Sequence, residues 1–253
     1  MRVKSKYKNS MTCVNGENIS FDHKGIADVV EPIAMRLSCR PGYELLDPPP
    51  PVTIVTIDGK RYYKYKDEFY PEYLNQGNAM SYIKDKALEY CKGRGIDIGS
   101  SEWPIDGADA IQEGGKEDAY NLPSYEDGSL DFVFSSHCLE HLDKYKDALK
   151  LWIQKLKRGG ILFLYLPHKD MKLWNPGGLW VGEGHKWIPT HEALTEDFKR
   201  LGLKIIDVNK DKDTYWSFHI VGQKPGGKQV KKKEIEDTEV EVDPWNRVSD
   251  FPQ

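Results

Sequence analysis

The 253-residue chain has only four cysteines, Cys13, Cys39, Cys91 and Cys138, each standing alone. Without a CxxC pair they make no zinc knuckle, and they are too few for the cross-linked framework of a small secreted domain, so reduced thiols are expected. Long apolar runs are also missing. No stretch approaches the roughly 18 apolar residues that a helix needs to cross a bilayer. The N-terminal MRVKSKYKNSMT has no apolar signal segment, so a cytoplasmic location without a membrane partner is expected. Nor is there a surplus of positive charge. Thirty-six Lys and Arg against 40 Asp and Glu leave a net charge of -4, and without a basic stripe no nucleic-acid partner is expected.

A composition of 39% hydrophobic and 30% charged residues supports one ample domain with solvated appendages. Residues 1–46 read as a small α+β unit, with extended pieces at NGENISF and GIADVV and a short helix at EPIAMRLS halted by Pro41-Gly42. The run Asp47-Pro48-Pro49-Pro50-Pro51 lacks backbone donors and reads as a stiff linker over 47–51 that holds two bodies apart. Residues 52–224 form the main domain. It opens with a hairpin, since VTIVTI and RYYKYK flank Asp58-Gly59, and a helix follows over Tyr73–Cys91. GIDIG, LDFVFSS and GILFLYLP then read as buried parallel strands. Between the last two, Leu142, Tyr145, Leu149, Trp152 and Leu156 mark a helix ended by Gly159-Gly160. HEALTEDFKRLGL gives another helix, with KIIDVN and TYWSFHIVGQKP as the last strands. Residues 225–253 pass from a basic to an acidic run and read as a charged, disordered tail.

Chemistry concentrates at KGRGIDIGSSEWPIDGADAI. A glycine directly after a buried strand lets a ligand approach the backbone, and Asp97 inside that strand points to the same crevice. DAYNLP, DGSLDFVFSSHCLEHL and RGGILFLYLP follow in order. With DIGSS, these four motifs resemble the class I S-adenosylmethionine-dependent methyltransferases, in their methyltransferase-11-like branch, over about Lys84 to Lys224. The resemblance implies a Rossmann-like, doubly wound seven-strand sheet and S-adenosylmethionine as cofactor. It implies the methionine part of that cofactor near Asp97, Gly99 and Ser100, the adenine near Asp118 and Ala119, and Ser135, Ser136 and His137 as the pocket floor. Two departures stand out. Serines follow Gly99 where the family places another glycine, and the segment between the first two strands is too short for a full helix. The ribose-holding residue is therefore ambiguous, with Gln112 at the aligned position and Glu113 and Asp109 nearby; Gln112 or Glu113 is favoured.

Methyl transfer from a sulfonium requires alignment and, for a hydroxyl or amine acceptor, removal of a proton, which suits histidine. His168 follows the strand end at Pro167, and His185 lies in KDMKLWNPGGLWVGEGHKWIP, a Gly- and Trp-rich segment that reads as a lid. These two are the candidates for base or acceptor contact. His137 and His141, four apart, would share a helix face, but Glu140 between them faces elsewhere and no third ligand is apparent, so no metal is expected. Trp174, Trp180 and Trp187 offer stacking faces for a small-molecule or glycan acceptor. The other reading is a decayed methyltransferase fold kept as a binding module; a nicotinamide-dependent oxidoreductase lacks its GxGxxG here. Residues 1–46, with their hairpin-like start, glycine, helix and PGYE, are similar to small modules of phage structural proteins. That similarity implies a protein assembly joined through residues 1–46, such as a virion.

Overall fold

The computed structural model describes residues 1–14, 17–47, 52–100, 103–182 and 184–226. Apart from Asp47, Pro225 and Gly226, the linker over 47–51 and the tail over 225–253 lie outside the described residues.

The N-terminal unit is β1 (Arg2–Ser5), β2 (Met11–Val14), β3 (Glu17–Ser20), β4 (Ile26–Asp28), α1 (Glu31–Ser38) and β5 (Tyr43–Leu45). β1 lies between β4 and β5, all antiparallel, and β2 pairs with β3. Val3, Phe21, Ala34 and Leu37 close a small core of their own. A second antiparallel sheet follows from β6 (Thr53–Ile57), β7 (Lys60–Tyr65) and β8 (Glu68–Pro71). Its first turn has φ of 49° at Asp58 and 76° at Gly59, the two positive values that a tight two-residue hairpin demands. The helix expected over Tyr73–Cys91 is split into a 3-10 turn at Glu72–Asn75 and α2 (Ala79–Tyr90). Asn78, left-handed at φ 66°, separates the two.

The main sheet holds β9 (Gly95–Ile98), β10 (Ala108–Ile111), β11 (Leu130–Ser136), β12 (Leu156–Pro167), β13 (Lys204–Val208) and β14 (Ser217–Gln223). Their order is β10-β9-β11-β12-β14-β13, parallel through β12, with β14 and β13 antiparallel. This is the expected doubly wound class, but with six strands among the described residues where seven were expected. The segment around Asp118 makes only an isolated bridge between Asp118 and Asn121 and adds no strand outside β10. As the short spacing required, no helix occupies the described part of the connection between β9 and β10.

Both sheet faces are covered. α3 (Tyr145–Lys155) and α4 (His191–Arg200) bury Trp152 and Phe198 against Ile96, Val133 and Leu164 on one face. On the other, Ile83, Ala87 and Tyr90 of α2 meet Phe132, Phe134 and Phe163. Alternate residues of one strand thus feed two cores, which is why these strands read as unbroken apolar runs. α3 is shorter than its apolar period suggested. Gly159 and Gly160 do not cap it but lie inside β12, where the pairing with β11 shifts register. Lys224 caps it instead, its Nζ donating to the carbonyls of Ile153 at 2.9 Å and Leu156 at 2.7 Å. Orphan carbonyls at a helix end need such donors. Trp152 is fully buried and its Nε1 donates to the Ala119 carbonyl at 2.8 Å. Trp152→Ala is expected to lower unfolding stability by about 3–5 kcal/mol, the cost of a large core cavity, read as a drop in the urea midpoint.

Candidate active site

At the carboxyl end of β9 the chain turns at Gly99, φ +88°. A β-carbon there would lie 2.5 Å from the Cys138 β-carbon, so the position admits no side chain and leaves its backbone open. Asp97, 2% exposed, accepts from the Ile105 amide through Oδ2 at 2.8 Å, which folds the following loop back over the strand end. Burial pushes the Asp97 carboxyl up to about 7, against the lowering effect of that amide. Ser100 Oγ donates to the Asp97 carbonyl at 3.2 Å.

β11 delivers the next group of residues. Ser135 Oγ donates to the Ile98 carbonyl at 2.9 Å, locking β11 to β9. The buried Ser136 hydroxyl has no hydrogen-bond partner. His137 takes a left-handed turn, φ 49°, its amide donating to the Tyr165 carbonyl at 2.8 Å. Its Nε2 pairs with Ser217 Oγ at 2.8 Å, and burial pushes the imidazole down to about 3.

After that turn the chain makes a 3-10 turn at Leu139–His141 rather than the start of an α-helix. Glu140 therefore does not face elsewhere. It is fully buried, with Oε1 3.8 Å from His137 Nδ1 and 3.8 Å from His185 Nε2, and neither oxygen has a hydrogen-bond partner. Burial pushes its carboxyl up to about 8. The lid brings His185 there. Lys186 donates its amide to the Glu140 carbonyl at 2.7 Å, Trp187 Nε1 donates to the Leu139 carbonyl at 3.0 Å, and Trp187 stacks on Tyr145 at 3.9 Å. His141 Nδ1 pairs with the Gly184 carbonyl at 3.1 Å. His185 is 4% exposed and burial pushes it down to about 4, so the imidazole is neutral at physiological pH.

These groups share one cleft of about 1040 Å³. Asp97, Gly99 and Ser100 line it together with Ser136 and His137 and with His141, Trp174, His185 and Tyr215. The family model Methyltransf_11, a methyltransferase domain, matches residues 76–164, which run from before α2 through the glycine turn into β12. The chain carries a methyltransferase domain. S-adenosylmethionine is the methyl donor that this match implies. Among solved structures, the chain is similar to S-adenosylmethionine-dependent methyltransferases of three organisms. The Thermotoga maritima protein is 16% identical, with 60% of this chain and 92% of that one covered and a TM-score of 0.44. For Archaeoglobus fulgidus the figures are 19%, 59%, 96% and 0.44, and for Mesorhizobium loti 15%, 59%, 100% and 0.44. No curated protein matches. The likeness of residues 1–46 to phage modules finds no support in these comparisons.

The groups at the glycine turn fit a polar, close-approaching ligand such as the amino-acid part of that donor. A side-chain-free turn, a buried carboxylate and the unpartnered Ser136 hydroxyl meet in one cleft. Gln112, Glu113, Asp118 and Ala119 do not line it. Gln112 and Glu113 follow β10, whose Ile111 carbonyl accepts from the Gly99 amide at 2.9 Å, so they sit one strand over from the glycine turn. Asp118 Oδ1 accepts from the Tyr120 amide at 2.7 Å, and Ala119 is held by Trp152. His168 is also outside the cleft, in a shallow recess with Thr190 and His191, its Nδ1 accepting from the Asp170 amide at 3.2 Å. Sequence reasoning passed over Tyr215, Asn75 and the rim from Gly77 to Ser81, and turned Glu140 away from the site behind which it is buried. The His-x-x-Glu-His spacing was the available signal for Glu140.

The N-terminal unit is not held apart from this region. Arg36 of α1 donates from Nη1 to the Lys186 carbonyl at 3.3 Å, and Cys39 Sγ lies against Gly182. α1 thus rests on the lid segment that carries His185.

The Asp97 carboxyl, raised from 3.8 to about 7, gives a signed prediction. Between those values the folded state holds a proton that the unfolded state has released, so this group lowers stability as pH rises. Asp97→Asn removes that dependence. Denaturation at about pH 4.5 and pH 7.5 is expected to show the variant gaining on the wild type at the higher pH; a constant difference would mean that Asp97 is ionised throughout.

Proposed function

We propose that the domain transfers the methyl group to a small-molecule or glycan acceptor lying between the glycine turn and the His185 wall. The observation that carries this is the single cleft joining Asp97 and Gly99 to Trp174, Tyr215 and His185. Its volume of about 1040 Å³ is at the top of the range for one drug-sized ligand, about 300–1,000 Å³, which leaves room for donor and acceptor together. The bound donor supplies a methyl carbon made electrophilic by its sulfonium. Asp97 and the Gly99 backbone hold its amino-acid end, Ser136 and His137 form the floor, and the ribose reaches over the rim to Gln112 or Glu113, with the adenine toward Asp118 and Ala119. Trp174 and Tyr215, 5.4 Å apart and inclined at 41°, give the acceptor an apolar face to stack on. His185 offers a neutral imidazole to the acceptor's proton-bearing atom.

Calorimetry with S-adenosylhomocysteine tests the donor half. Binding is expected, with Asp97→Ala weakening it strongly; absence of heat at millimolar ligand would overturn the reading and favour a fold retained for binding alone, which the position of Asp118 and Ala119 outside the cleft would then explain. For the acceptor half, product release is measured against a panel of small hydroxylated compounds and glycans. His185→Ala is expected to lower turnover about a hundredfold, the usual scale of a lost general base, with donor affinity nearly unchanged. His168→Ala is expected to leave turnover intact, and the reverse pattern would move the acceptor to the other side of β14.

A further inference from the structure

The far wall of the cleft holds a set of groups that alignment of donor and acceptor does not require. Glu140 is completely buried, yet both carboxylate oxygens lack a hydrogen-bond partner. Two imidazoles converge on it from elements far apart in sequence, His141 from the turn after β11 and His185 from the lid. One ligand atom from each of Glu140, His141 and His185 lies within 4.8 Å of the others. A buried acidic group flanked by two imidazoles and without donors is an incomplete arrangement, and a cation at its centre would complete it.

We propose that Glu140, His141 and His185 bind a divalent transition-metal ion of the zinc type in the acceptor wall of the cleft. The donor set is that of open zinc sites, two imidazoles and a carboxylate with a fourth position left for water or substrate. Ligand atoms at about 2.0–2.1 Å from a tetrahedral ion stand about 3.3 Å from one another. The 3.8 Å between Glu140 Oε1 and His185 Nε2 is within a small side-chain rotation of that spacing. The outer contacts fit as well. His141 Nδ1 faces the Gly184 carbonyl at 3.1 Å, so as a donor it leaves Nε2 with the lone pair, and a backbone bond at Trp174 holds the His185 ring. Ligating histidines characteristically use their second nitrogen this way. His137, fixed by Ser217 on one side, backs the carboxylate from the other at 3.8 Å. His141 is exposed enough to provide the entry path. Where the methyl-transfer reading holds, the metal-free protein offers His185 as the base and the loaded protein holds it as a ligand, with the ion's open position facing the acceptor and selecting acceptors that carry a hydroxyl or carbonyl group beside the methylated atom.

The test titrates the full-length protein, stripped of metal with a chelator, with Co²⁺, whose visible absorption reports imidazole and carboxylate coordination. Saturation at one equivalent is expected, with Zn²⁺ displacing the band. Glu140→Gln, His141→Ala and His185→Ala are each expected to weaken Co²⁺ binding about a hundredfold or more. Glu140→Gln keeps the shape of the side chain, and thermal melting of each variant confirms folding. No band and no Zn²⁺ heat with folded wild type would overturn the proposal, as would unchanged affinity in all three variants. S-adenosylhomocysteine calorimetry on the same samples separates the two readings: a cobalt band without any nucleoside binding keeps the metal site and removes the methyltransferase reading, and the converse removes only the metal.

Discussion

One backbone hydrogen bond, from the Lys186 amide to the Glu140 carbonyl at 2.7 Å, determines the character of the cleft. It ties the long loop after β12 to the turn after β11. Adjacent parallel strands end on the same side of the sheet, so the loops that follow them are brought together there. The Trp187 indole bond to Leu139 and its stacking on Tyr145 reinforce the tie. Each such contact contributes only about 0.5–1.5 kcal/mol, but together they seat an imidazole over a carboxylate that the fold leaves without donors. An unsatisfied buried polar group costs about 1–3 kcal/mol or more. The domain thus sets stabilising contacts at the edge of the site against an unfavourable group at its centre.

Much of this was legible in the sequence, and the limits have physical causes. β9, β11 and β12 were visible because strands covered on both faces are apolar throughout, and the Asp97 to Gly99 turn because close packing against Cys138 excludes a side chain. Asp58-Gly59 announced its hairpin through the positive φ that both positions require. The start of α3 was not legible. His137 adopts a left-handed conformation open to any residue only at a cost, and the chain then tightens into a 3-10 turn. The left-handed turn at His137 and the 3-10 turn over Leu139–His141 bring Glu140 within 3.8 Å of the His137 ring, whereas the four-residue spacing of an α-helix paired His137 with His141 and turned Glu140 away. Gly159-Gly160 looked like a helix cap, yet the glycines serve a register shift inside β12. Of the two histidines proposed from the loops, only His185 reaches the cleft, because only its segment is pinned to the turn after β11; His168 stays with the backbone of its own loop.

The N-terminal unit has a core of its own, but its helix does not stand free. Arg36 reaches the carbonyl of Lys186, the residue whose amide makes the bond to Glu140. One residue of the lid is thus held through both its amide and its carbonyl. A unit of this size is commonly stabilised by leaning on a larger body, and here the support runs in the other direction as well.

Among the described residues the main sheet ends at β10, and this has a further effect. The main sheet ends on a strand whose outward amides and carbonyls have no neighbour in the sheet, the arrangement through which separate molecules zip together. β10 is only four residues long, and the exposed Asp109 lies within it, held by the Tyr125 hydroxyl at 3.1 Å. Gly107 and Gly114, both at positive φ, bend the chain away at either end. A short, charged, bent margin offers a second molecule too little to pair with. The strand that ends the described sheet therefore also carries what keeps the exposed rim from becoming a seam.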